Sequence, residues 1–93
     1  MRLNESERQA ILGTIGAQDP QADVYLFGSR VDDYARGGDI DLLVLSRRID
    51  LMAKLDILGD LHRRLGERKI DLLVYPDLGQ PFARIAVAEG IRL

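Results

Sequence analysis

The chain has 93 residues, nearly half of them apolar, no cysteine and a formal net charge of −2. That length supports one small core, and the absence of cysteine excludes a disulfide framework and thiolate-bound zinc. The acidic balance argues against bulk electrostatic binding of nucleic acid, which calls for a strongly basic face. No apolar run approaches the ~20 residues of a membrane span and no segment reads as a signal peptide. The expectation is therefore a soluble cytoplasmic protein with one domain over residues 1–93.

Taken in chain order, "NESERQAILGTIGAQDP" predicts an amphipathic helix with Asn4 as N-cap and Glu7 in the capping-box position. Asp19-Pro20 ends it, because the residue before proline is pushed out of helical geometry. Gly13 and Gly16 lower helix propensity, which suggests fraying or tight packing in the last turns. "ADVYLFG" reads as a short buried strand closed by glycine, and the polar "SRVDDYARGG" is long enough for a helical turn.

The next strand, "DIDLLVLS", separates by its period of two into Asp39, Asp41, Leu43 and Leu45 on one face and Ile40, Leu42 and Val44 on the other. Asp50 reads as the N-cap of a helix in which Leu51, Leu55, Leu58 and Leu65 recur at helical spacing, with Met52 assigned to the same core stripe and Gly66 at the end. "KIDLLVY" supplies a third strand, with Asp71, Leu73 and Tyr75 facing one way and Ile70, Leu72 and Val74 the other. Pro81 opens a last helix through "FARIAVAE", which Gly90 closes. The order α, β, turn, β, α, β, α predicts an α+β fold with a small mixed three-stranded sheet. The last two strands would be parallel members of a βαβ unit, so that in-register pairing sets Asp41 beside Asp71.

The acids are the feature to explain. Residues two apart on a strand lie about 6.5 Å apart and neighbouring strands about 4.8 Å, so Asp39, Asp41 and Asp71 would form a tight triangle. Unit charges at such distances repel by roughly 2 to 3 kcal/mol at an effective dielectric near 20. A divalent cation matches the charge and takes hard oxygen ligands; magnesium is the natural candidate and manganese also fits. Each acid alone reads as a turn cap or an edge ion pair, and only the three together read as a site. "LFGSR" adds a Gly-Ser turn with free backbone N–H groups suited to an anion, followed by Arg30 and Arg36. In a chain with eleven arginines against two lysines, those two arginines also read as ordinary surface charge. His62 is the sole histidine and has no matching ligands, and the pairs Arg47-Arg48 and Arg63-Arg64, like Asp32 and Asp33, read as solvated.

Together "FGSRVDDYARGGDIDLLV" and the later "KIDLLVY" resemble the signature of the nucleotidyltransferase superfamily that includes DNA polymerase beta, kanamycin nucleotidyltransferase and the minimal nucleotidyltransferases. The likeness covers about residues 22 to 75, with Gly38 where many relatives carry serine. It implies a palm-like fold and nucleotidyl transfer. Gly28 and Ser29 would hold the β- and γ-phosphates, Asp39 and Asp41 two magnesium ions, and Asp71 the ion that activates the attacking hydroxyl. Arg30 and Arg36 would neutralise departing pyrophosphate. The minimal members are commonly encoded with a helical HEPN partner, which implies an antitoxin that transfers AMP from ATP to a tyrosine of that partner. Two alternatives stand beside it: a non-catalytic module that occludes the partner, and a subunit that nucleotidylates a small alcohol such as an aminoglycoside. The acceptor, the nucleotide preference and the oligomeric state stay open at this level.

Overall fold

The computed structural model describes residues 3–28, 39–66 and 68–93. Helix α1 (Glu5–Gln18) leads into strand β1 (Asp23–Phe27), and strand β2 (Ile40–Leu45) is followed by helix α2 (Leu51–Leu65) and strand β3 (Ile70–Tyr75). Helix α3 (Pro81–Glu89) and a two-residue strand β4 (Ile91–Arg92) complete the chain. No helix among the described residues is long and apolar enough to cross a membrane.

The helix ends form where the sequence predicts. The Asn4 side chain accepts a bond from the Glu7 amide at 2.7 Å and the Glu7 carboxylate accepts one from the Asn4 amide at 3.0 Å, a complete capping box. Asp50 caps α2 by accepting from the Ala53 amide at 2.9 Å. At Gly13 and Gly16 a Cβ would meet nothing within 4 Å, so tight packing does not explain these glycines.

The sheet has the order β3-β2-β1-β4, with β2 and β3 parallel and β1 antiparallel to both of its neighbours. It is mixed, as expected, but has four strands rather than three. The extra strand follows from Gly90, where a Cβ would stand 2.7 Å from the Leu26 carbonyl oxygen and 2.6 Å from that of Ala86. Only a bare α-carbon lets the chain leave α3 that close to β1, and two residues then pair with Tyr25 and Leu26. A two-residue strand carries no periodicity to read.

The two sheet faces are unequal. Ile40, Leu42, Val44, Ile70 and Leu72 join Leu26, Ile11 and Ile15 of α1 and Ile57 and Leu61 of α2 in the main core. On the other face α3 lies over Leu43 through Ala83 and Ala86, flanked by Tyr25, Phe27, Leu45, Tyr75 and Val87. The predicted stripe on α2 needs correction. Leu58 and Leu65 do pack against the core, but Leu51, Met52 and Leu55 are 68%, 67% and 52% exposed. The helix carries two apolar rows, and α1 together with the sheet holds the one running through Ala53, Ile57 and Leu61. Spacing alone cannot say which of two rows faces inward.

Candidate active site

The pairing registers bring the acids together. Phe27 of β1 stands opposite Asp41 of β2, and Asp41 stands beside Asp71 of β3. The three share one level across the sheet, on the face that carries α3. The next level is Tyr25, Leu43 and Leu73, and α3 covers its centre, so the Asp41 level is the one that helix leaves open. Asp41 is half-buried, while Asp71 and Asp39 are exposed.

Asp41 and Asp71 are direct neighbours across the parallel pair, close enough for their carboxyls to interact. Burial first, then the interaction with the Asp71 carboxyl, then the charges of Asp71 and Asp39 push the Asp41 carboxyl above its ordinary value, and the Lys69 ammonium opposes the rise. Among the described residues none of the three acids is held in an ion pair, and the expected triangle is not formed: no three acidic or other metal-ligating side chains converge as a group able to hold an ion. The juxtaposed pair is therefore Asp41 and Asp71, with Asp39 acting on it through charge. Edge ion pairing, the bland reading of Asp71, finds no support in Arg68. That guanidinium reaches across to Glu7 of α1 instead.

Gly28 closes the site from the β1 side. Its φ of +74° is a conformation side chains rarely adopt, and a Cβ there would come within 2.6 Å of an Asp41 carboxylate oxygen. The backbone turn thus favours glycine, and the bare α-carbon also lets the Asp41 carboxylate lie against it without moving. Ser29, Arg30 and Arg36, with Asp32 and Asp33, lie outside the described residues.

A hollow of about 500 Å³ opens at this level, bounded by Phe27, Asp41, Asp71, Leu73 and Phe82 and continuing round the β3 edge to Lys54 and Leu58. A second hollow of about 460 Å³ lies at the opposite ends of the strands, but its three acids, Asp19, Asp23 and Asp77, are engaged, Asp23 by Arg92 at 2.7 Å. Asp19 is only 3% exposed and accepts from the Ser46 hydroxyl at 2.6 Å and the Gln21 amide at 3.0 Å, which hold its carboxyl below the ordinary value. Asp77 pairs with Arg47 at 3.0 Å. Among the described residues the carboxylates of the first hollow have no ion-pair partner, which makes it the candidate site.

The donor set suits a hard divalent cation. Two neighbouring carboxylates whose proximity disfavours ionisation become favourable ligands once a doubly charged ion stands between them. Sequence reasoning missed Lys69 as a modulator of Asp41, and it missed Phe27 and Phe82 as walls of the hollow. Lys69 adjoins a strand and reads there as surface charge, while Phe82 reads only as part of an apolar helix face.

Comparison with known proteins bears on the same residues. The family model described as Polymerase beta, Nucleotidyltransferase matches residues 13–93, a span that includes both acidic strands, α3 and β4. Among curated proteins none matches the chain.

Proposed function

From the match over residues 13–93, by which the chain belongs to the polymerase beta nucleotidyltransferase family, we propose that it transfers AMP from ATP to a tyrosine hydroxyl of a helical HEPN-type partner, as the antitoxin of that pair. The observation that carries the catalytic part is the register that joins Asp41 to Asp71 beside Gly28.

Asp39, Asp41 and Asp71 would hold two magnesium ions, or manganese. When bound, these supply charge neutralisation at the phosphates and activation of the acceptor hydroxyl. Gly28, with Ser29 after it, would offer its backbone to the β- and γ-phosphates, bare of any side chain of its own. The acceptor oxygen bonds to the α-phosphorus, the bond from that phosphorus to the bridging oxygen breaks, and pyrophosphate departs, its charge neutralised by Arg30 and Arg36. Asp71, the exposed member of the pair, takes the proton of the acceptor. Lys69 keeps Asp41 nearer its charged form.

A protein acceptor is supported by the exposed apolar row of α2. Leu51, Met52 and Leu55 form an outward patch of a kind associated with partner docking. The test incubates the purified protein with α-labelled ATP, magnesium and the HEPN protein encoded beside it. Label is expected on a partner tyrosine and none with Asp41→Asn. The same patch also favours a second reading, simple occlusion of the partner. That reading gains if the double variant Asp39→Asn, Asp41→Asn neutralises the partner undiminished, and transfer is then not the function.

A further inference from the structure

Phe82 has no place in the transfer chemistry, yet it faces the same hollow as Asp41 and Asp71. It is 45% exposed, unusual for a phenylalanine with a core within reach. Its ring meets that of Phe27 edge-on, with centroids 5.8 Å apart and planes at 80°. Phe27 in turn is the register partner of Asp41, so the aromatic pair adjoins the acids at the same level of the sheet.

The segment that delivers Phe82 is pinned. Pro81 occupies the first turn of α3, and Arg84 donates from one guanidinium nitrogen to the carbonyls of Leu78 at 2.7 Å and Gly79 at 3.1 Å. Asp77 accepts from the Gly79 amide at 2.8 Å. A ring fixed at its base and braced on one side, with nearly half its surface open, loses little freedom when a flat ligand covers it. The hollow, at about 500 Å³, lies within the range of small-ligand sites.

Resting on the nucleotidyltransferase reading, we propose that Phe82, braced by Phe27, is the stacking platform for the base of the bound nucleoside triphosphate. The polyphosphate lies toward Gly28 and the carboxylates, and the base extends over the Phe82 ring. Every base has a π-face, so a platform of this kind distinguishes a nucleotide from a bare polyphosphate and discriminates weakly among bases.

The test measures binding by calorimetry with manganese, using ATP carrying a methylene bridge between the α- and β-phosphorus and, separately, inorganic tripolyphosphate. Phe82→Ala is expected to weaken the nucleotide analogue about tenfold, within the range of single-base stacking, and to leave tripolyphosphate unchanged. Phe82→Leu keeps apolar contact with Phe27 without a π-face and should show a similar loss. Phe82→Trp should restore affinity, with indole fluorescence quenched by the analogue. Equal loss for both ligands, or full affinity in Phe82→Leu, overturns the platform while the transferase reading stands. So does unchanged nucleotide binding in Phe82→Ala. A wild-type protein that binds neither ligand overturns the transferase reading and the platform with it.

Discussion

The pentapeptide Ile-Asp-Leu-Leu-Val occurs twice, at residues 40–44 and 70–74, and the two copies pair residue for residue in the sheet. In the inner copy Ile40, Leu42, Leu43 and Val44 are all fully buried. In the edge copy Ile70 and Leu72 are buried, while Leu73 and Val74 are only partly covered. The faces agree because the pleat assigns them by parity. The burial differs because β2 has a strand on either side and β3 has one. The same inequality divides the acids. Asp41, in the interior, is half-buried and resists ionisation, while Asp71 stands in solvent at the edge. One local sequence thus yields a half-buried carboxylate that resists ionisation and an exposed one at the edge.

The largest effect should come from the inner acid. Asp41→Asn is expected to lower nucleotidyl transfer by on the order of 10³-fold, as loss of a metal ligand and its electrostatic contribution implies. The same substitution should raise the thermal midpoint of the metal-free protein, because it removes a half-buried charge from beside two others. Asp71→Asn should also impair transfer but bring a smaller gain in stability, as its carboxylate is solvated. Equal stability gains, read by thermal scans with and without magnesium, would break the distinction between inner and edge acids.

Packing offers the next contrast. Leu43→Ala removes a fully buried side chain between β2 and α3 and should cost about 2–5 kcal/mol. Leu73→Ala, the same change at the partly covered equivalent, should cost about 1 kcal/mol. Urea unfolding of both variants measures the difference, and similar losses would mean that the edge strand is covered in solution.

A finer comparison is in pH. The Asp41 carboxyl lies above its ordinary 3.8 in the folded chain, so the native state binds that proton more tightly than the unfolded state. The stability this provides is fully present below 3.8 and is lost as pH rises through the raised value. Asp19, held below 3.8 by Ser46 and Gln21, acts in the opposite sense: its contribution is present above 3.8 and is lost as pH falls through its lowered value. Subtracting the stability curve of Asp41→Asn from that of the wild type cancels Asp19, and the remainder should decline with rising pH. A flat difference would show that the acids are farther apart in solution. The smallest effect belongs to Lys69→Met, which removes a cation opposing the rise at Asp41 and should move its titration slightly upward, observable by carboxyl NMR.

Much of this was legible beforehand. Parity assigned the acids to one face, and the parallel βαβ reading aligned Asp41 with Asp71, because strand period and crossover length leave few alternatives. The caps at Asn4 and Asp50 were equally plain, since capping depends on neighbours in sequence. The wrong stripe on α2 was a different kind of problem. Leu51, Met52 and Leu55 satisfy helical spacing as well as Ile57 and Leu61 do, and only the contact with α1 and the sheet selects between them. The aromatic wall was illegible for a related reason, since Phe27 and Phe82 are far apart in the chain and meet only through the turn into α3.

By itself, the sequence determined which residues share a face, where the helices begin and which family the acidic strands belong to, all consequences of short-range geometry and residue chemistry. Tertiary structure alone decided which apolar row went inward, that Gly90 would admit a fourth strand, and that one of two identical strands would lie inside. Those outcomes depend on what packs against each element, and burial is a property of neighbours that a local pattern does not contain.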